Sequence, residues 1–143
     1  MKKQQEKKLS YNVAEFITKQ YPKVIFRFDV AADLKLSMHQ AVILKNNLLH
    51  KKGYPDLFLA EPSKGYHGLY IELKKDKSEV YKKNGSYKKN EHLETQIAMH
   101  KRLKDKGYCV VFGCGFEDTV SKIRDYIAPI GKEKINEKQG SLI

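Results

Sequence analysis

Two acids and a lysine stand where the period of a strand would bring them together. In Leu69-Tyr70-Ile71-Glu72-Leu73-Lys74, strand alternation puts Tyr70, Glu72 and Lys74 on one face and Leu69, Ile71 and Leu73 on the other. Asp56 closes Gly53-Tyr54-Pro55-Asp56 and opens the apolar run Leu57-Phe58-Leu59-Ala60. If these two runs form an antiparallel hairpin, the carboxylates of Asp56 and Glu72 can share one hard divalent cation, Mg²⁺ or Mn²⁺. The backbone carbonyl of Leu73 would complete a sparse oxygen set. Phosphodiester hydrolysis needs a water made nucleophilic near neutral pH and relief of the charge growing on phosphate, and such an ion supplies both. Lys74, on the face of Glu72, is then placed to stabilise the pentavalent phosphate or to orient the water. The bland alternative is a Pro-Asp turn and an exposed Glu-Lys pair of little energetic weight. Their position at the ends of the most apolar hairpin in the chain favours the chemical reading.

The elements that must position these groups follow from periodicity. Leu9, Val13, Phe16 and Ile17 recur at helical spacing and predict a first helix from Leu9 to about Gln20, carrying Glu15, with Ser10 as a cap and Tyr21-Pro22 as the stop. Val24 to Val30 is rich in β-branched and aromatic residues and predicts a strand. A second helix is expected from Met38 to Lys51, with Val42, Leu44, Leu48 and Leu49 apolar and Gly53 ending it. Strands at Leu57–Ala60 and Leu69–Lys74 flank a segment dense in turn formers. Glu91 to Lys106 reads as a helix on Leu93, Ile97 and Leu103, Tyr108 to Gly113 as a strand buried on both faces, and Glu117 to Ile127 as a last helix before Pro129. This order predicts an α/β single domain, a mixed sheet flanked by helices, over residues 9–128. Residues 1–8 are expected to form a basic tail, and 129–143 a charged, frayed one.

The chain has 143 residues, enough for one core, and its 28 Lys and Arg against 17 Asp and Glu give a formal charge of +11. A polyanion is the partner such a charge attracts, although a solvated lysine-rich surface is the alternative. Location favours the polyanion: between Lys74 and Asn90, the lysines 75, 77, 82, 83, 88 and 89 interleave with Tyr81 and Tyr87 directly after the Glu72 strand. Lys75, Lys77, Lys82, Lys83, Lys88 and Lys89 are accordingly the DNA-binding candidates. No apolar run approaches the roughly 20 residues of a membrane span, and no apolar signal core follows the charged start, so an intracellular, cytoplasmic protein is expected. Cys109 and Cys114 have no histidine pair at zinc-ligand spacing and read as small core residues. His39, His50, His67, His92 and His100 read as polar surface residues, and Gly113-Cys114-Gly115 lacks the remainder of a phosphate-binding loop.

Gly53-Tyr54-Pro55-Asp56, Glu72-Leu73-Lys74 and the later Gln96 resemble the pattern of the PD-(D/E)XK nuclease superfamily, most closely its VRR-NUC branch of virus-type replication-repair nucleases. The similarity runs from about Leu9 to Ile127. It implies a restriction-endonuclease-like α-β-β-β-α-β core and an Mg²⁺- or Mn²⁺-dependent DNA endonuclease. Asp56 and Glu72 would be metal ligands and Lys74 the catalytic lysine. Glu15 is the position matching a first-helix glutamate that serves the family as a further ligand, directly or through water. Gln96 would lie behind the site and support Lys74 or a phosphate. Small stand-alone members resemble phage-encoded proteins that work in the host cytoplasm as homodimers on branched DNA such as four-way junctions. The long insertion from Lys75 to Asn90 departs from that pattern and bears on substrate more than on chemistry. A DNA-binding module that keeps the fold without turnover, and a phosphatase of small esters, are the other readings.

Overall fold

The computed structural model describes residues 2–29, 35–47 and 52–129. Strands β1 (Phe26–Phe28), β2 (Leu57–Leu59), β3 (Leu69–Lys74) and β4 (Cys109–Cys114) form one sheet in that order. Pairing is antiparallel for β1–β2 and β2–β3 and parallel for β3–β4. The helices are α1 (Lys2–Gln20), α2 (Met38–Asn47), α3 (Glu91–Asp105) and α4 (Phe116–Ile127). This is the mixed, helix-flanked α/β sheet that the element order predicts. The one parallel pair requires a long crossover, and α3 is that crossover.

Strand alternation then divides the core. Leu69, Ile71 and Leu73 point to one face, where they meet Leu9, Val13 and Ile17 of α1 and Ile123 and Tyr126 of α4. Tyr70 points to the other, against Met99 and Leu103 of α3 and Val110 of β4. The face that carries Glu72 is therefore covered by a helix. Turn chemistry fixes the β2–β3 hairpin: Ser63 and Tyr66 bridge across Lys64 and Gly65, whose φ values of 51° and 85° suit a tight hairpin turn. From that turn Lys64 donates to the carbonyls of Asp125, Tyr126 and Ala128 at the end of α4, tying the hairpin to the helix.

Several boundaries differ from expectation. Helix α1 begins at Lys2, well before Leu9. The segment Lys2 to Lys8 has no apolar residue to register a period, but Lys, Gln and Glu are good helix formers and extend the helix that Leu9, Val13 and Ile17 anchor. Strand β1 is confined to Phe26–Phe28, and Val30 lies outside the described residues. Helix α2 starts with a reciprocal cap, Ser37 N to Gln40 Oε1 at 3.0 Å and Gln40 N to Ser37 Oγ at 3.2 Å. Its expected apolar stripe does not face the core: no residue of α2 is buried, and Val42 is half exposed. Leu48 and Leu49 fall outside the described residues, as does nearly all of the C-terminal segment 129–143. The lysine-rich insertion carries local structure. Asp76 caps a short 3-10 turn at Lys77–Glu79, Val80 is fully buried, and Tyr81 and Tyr87 bridge to form a small hairpin.

Candidate active site

The register Leu57↔Ile71 places Asp56, one residue earlier, opposite Glu72. Strand β2 ends at this point, so the N–H of Leu73 has no ladder partner and donates instead to Asp56 Oδ2 at 2.8 Å. In an extended strand a residue's N–H and C=O leave by the same edge, so the Leu73 carbonyl opens towards Asp56 as well. The next carbonyl, that of Lys74, leaves by the opposite edge and accepts from Gly115 N at 2.8 Å.

Asp56 is positioned from three directions. Its own carbonyl accepts from Asp29 N at 2.8 Å beyond the end of β1. Pro55 before it is fully buried, and the hydroxyl of Tyr54 donates to that of Tyr70 at 3.0 Å. Gly53 has φ of 74°, and a Cβ there would stand 2.6 Å from the Thr95 carbonyl oxygen and 3.0 Å from Gln96 Cα. Only glycine permits both that conformation and that approach to α3. The Gly-Tyr-Pro-Asp motif is thus a seat for α3 as well as the source of an acid.

Glu72 is 5% exposed. Its Oε1 accepts from Gln96 Nε2 at 2.8 Å, while its Oε2 is buried without a hydrogen-bond partner. Gln96, in the buried row of α3, thus bonds Glu72 directly. Burial, followed by the charge of Asp56, pushes the Glu72 carboxyl far above the usual carboxylate range, and Lys74 opposes the shift. Asp56 is also raised, chiefly by burial, against the pull of the Leu73 N–H, of a hydrogen bond shared with the Glu72 carboxyl, and of Lys74. Two acids that both resist ionisation, one with an orphaned oxygen, face a single point. A divalent cation would resolve that conflict, and a donor set made only of oxygens would suit Mg²⁺ or Mn²⁺.

Glu15 is not brought to this point. It lies about 200° around α1 from Val13, is exposed, and pairs with Lys19 at 2.6 Å, which lowers its carboxyl pKa. The glutamate of α1 whose charge bears on the pair is Glu6, which raises both Asp56 and Glu72. Glu6 stands seven residues before Val13, about two turns back on the stripe that faces the sheet. That spacing was available in the sequence, but it becomes visible only once the helix is started at Lys2. Glu6 acts here through its field: among the described residues, no three His, Cys, Asp or Glu side chains converge as a metal cluster.

His100, expected at the surface, is buried at 4% exposure one turn beyond Gln96, with its ring 4.7 Å from Phe112. Burial, then Lys104 and Lys74, pushes it down to about 4, so it is neutral at ordinary pH. The signal for its burial is its place in the row Leu93, Gln96, Met99, His100 and Leu103. Lys75, Lys77, Lys82, Lys83, Lys88 and Lys89 are all exposed. They lie on the segment that leads from β3 to α3.

No family model matches the sequence, and no curated relative matches it either. A solved structure described as a VRR_NUC domain protein superposes on it with a TM-score of 0.58. The two are 26% identical, over 85% of this chain and 87% of that one.

Proposed function

We propose that this chain, which belongs to the VRR-NUC family and has its nuclease fold, is a metal-dependent DNA endonuclease that hydrolyses phosphodiester bonds at Asp56, Glu72 and Lys74. The observation that carries this reading is the buried Glu72, fixed through one oxygen by Gln96 and left with the other unpartnered opposite Asp56. As mere scaffolding that arrangement destabilises the fold, since burial raises both facing acids despite the opposing charge of Lys74.

Each residue then has a distinct task. Asp56 and Glu72 would hold the cation, with the Leu73 carbonyl at the same edge. When bound there, Mg²⁺ or Mn²⁺ supplies the concentrated positive charge that a phosphodiester and its attacking water require. Gln96 keeps Glu72 aimed by occupying Oε1. Lys74, on the same strand face as Glu72, is the cation that meets the charge developing on phosphate or orients the water. Glu6 adds negative potential that favours cation capture. A preference for branched DNA, and a two-fold dimer making paired cuts at a junction, are the finer form of this reading.

The test is a panel of duplex, flap, four-way-junction and single-stranded DNA incubated with Mg²⁺, with Mn²⁺ or with chelator. Metal-dependent cleavage is expected, with Glu72→Gln slower by about a hundred- to a thousandfold, the order of loss for a group acting on transition-state charge. Cleavage in chelator, or full activity in Glu72→Gln, would overturn it. Tight binding without cleavage under any metal would mark a non-catalytic DNA-binding module.

A further inference from the structure

We infer that the cavity of about 290 Å³ between α3, β4 and the tyrosine hairpin holds one unpaired nucleobase of the DNA being cut, with an adjoining phosphate on Lys101 and Lys104. This rests on the reading of the chain as a DNA endonuclease and adds the substrate feature that the enzyme would select.

The cavity wall is aromatic. Tyr81 and Tyr87 stack at 5.4 Å with planes 20° apart, Tyr87 tilts onto Phe112 at 6.3 Å, and Phe112 meets His100 at 4.7 Å. Tyr87 remains 47% exposed, so part of its ring is open at the cavity. His100 lines the cavity beside these rings, with its Nε2 buried in the wall and without a hydrogen-bond partner. The cations separate by what they already hold. Lys122 is occupied by the Phe112 carbonyl at 2.6 Å and Asp118 at 3.0 Å. Lys101 stands 4.0 Å from Asp105 with its side chain 81% exposed, and Lys104 is exposed too. Stacking surface with lysines at the rim is the chemistry that takes a base and its phosphate.

Position ties this cavity to the cutting site. Phe112 is the register partner of Glu72, so it lies one strand from the carboxylate on the same sheet face. Helix α3 places Gln96 on Glu72 and, one turn later, His100 in the cavity wall. A duplex cannot enter so small a space, whereas a single ring system can. The geometry therefore selects DNA with an unpaired nucleotide beside the scissile bond, as at a flap, gap or branch point.

The experiment measures binding of the full chain, in chelator, to duplexes that carry one unpaired nucleotide and to fully paired duplexes. Tyr87→Ala is expected to reduce the preference for unpaired-base DNA by about tenfold, and Tyr87→Phe to retain it. Replacing the unpaired nucleotide with an abasic one should copy the Tyr87→Ala effect on wild-type protein, and 2-aminopurine at that position should lose fluorescence on binding. The inference is overturned if Tyr87→Ala, with an unchanged melting temperature, leaves the preference intact. It is equally overturned if abasic DNA binds as tightly as the base-bearing strand, or if a free deoxynucleoside monophosphate binds as tightly as the strand, which would assign the cavity to a small nucleotide. A wild-type protein that binds and cuts no DNA with any metal sinks the nuclease reading and this inference together. Mn²⁺-dependent cutting with no preference for unpaired bases sinks the inference alone.

Discussion

A carboxyl group covered by a helix and faced by a second acid makes the metal-free fold sensitive to pH. For Glu72 and Asp56 the folded-state pKa values lie above the unfolded ones. Above the usual carboxylate range, the folded protein thus holds protons that the unfolded chain has released, and stability falls as pH rises. His100 acts in the opposite sense, but only between about pH 4 and its ordinary value, so it contributes nothing to the slope above pH 7. Thermal melts in chelator between pH 7 and 8.5 should therefore show Glu72→Gln melting roughly 4 °C or more above wild type, the shift produced by about 1 kcal/mol in a domain of this size. Adding Mg²⁺ should stabilise wild type and leave Glu72→Gln nearly unmoved. A wild type that gains nothing from Mg²⁺ would exclude cation binding at the pair. The two α1 glutamates give a second residue-scale test. Glu6→Gln is expected to raise the Mg²⁺ concentration needed for half-maximal cleavage by about fivefold, an electrostatic effect of roughly 1 kcal/mol. Glu15→Gln, on the far face beside Lys19, should leave that concentration unchanged.

At the scale of elements, α3 organises the site. It bonds Glu72 through Gln96, covers Tyr70 with Met99 and Leu103, and rests its own backbone on Gly53. Gly53→Ala would set a methyl against the Thr95 carbonyl in a backbone conformation that alanine resists. A stability loss of about 1–3 kcal/mol is expected, read by urea unfolding, together with weaker cleavage because Asp56 follows three residues on. Stability loss without any change in cleavage would show that the seat and the acid are independent. Much of this was legible in the sequence. The strict alternation of Leu69 to Lys74 and the turn formers before it specify the hairpin, and register then makes the meeting of Asp56 and Glu72 unavoidable. What stayed hidden was what has no periodic signature. The polar first turns of α1 concealed Glu6, and an apolar stripe on α2 does not disclose that it faces away from the core. Gln96 and His100 could be placed on a buried row only after Met99, between them, was counted as core. The bond from Gln96 to Glu72 joins residues 24 apart and depends on tertiary packing alone.

Over the whole molecule, the charge of +11 includes six exposed lysines on the segment between β3 and α3, the segment that also supplies Tyr81 and Tyr87 to the aromatic cavity. Ion pairs among the described residues include Lys19–Glu15, Lys101–Asp105 and Lys122–Asp118, each within one helix. Lys82 and Lys83 follow Tyr81, and Lys88 and Lys89 follow Tyr87, so the antiparallel bridge between the tyrosines sets the two pairs at its opposite ends. A backbone laid along this hairpin would release counterions from each phosphate it meets, and the logarithm of affinity falls with the logarithm of salt concentration by about 0.9 for every duplex phosphate neutralised. Replacing all four lysines with glutamine should therefore flatten the slope by about 2 to 3.6, the upper figure holding if each lysine meets one phosphate. Affinity would drop most at low salt, and binding titrations from about 50 to 200 mM salt read both effects. An unchanged slope would mean that the four lysines project into solvent. The same variant separates DNA cleavage from hydrolysis of small phosphate esters: a phosphatase would keep its rate on a soluble monoester, whereas an endonuclease that depends on this hairpin loses efficiency on DNA at limiting concentration.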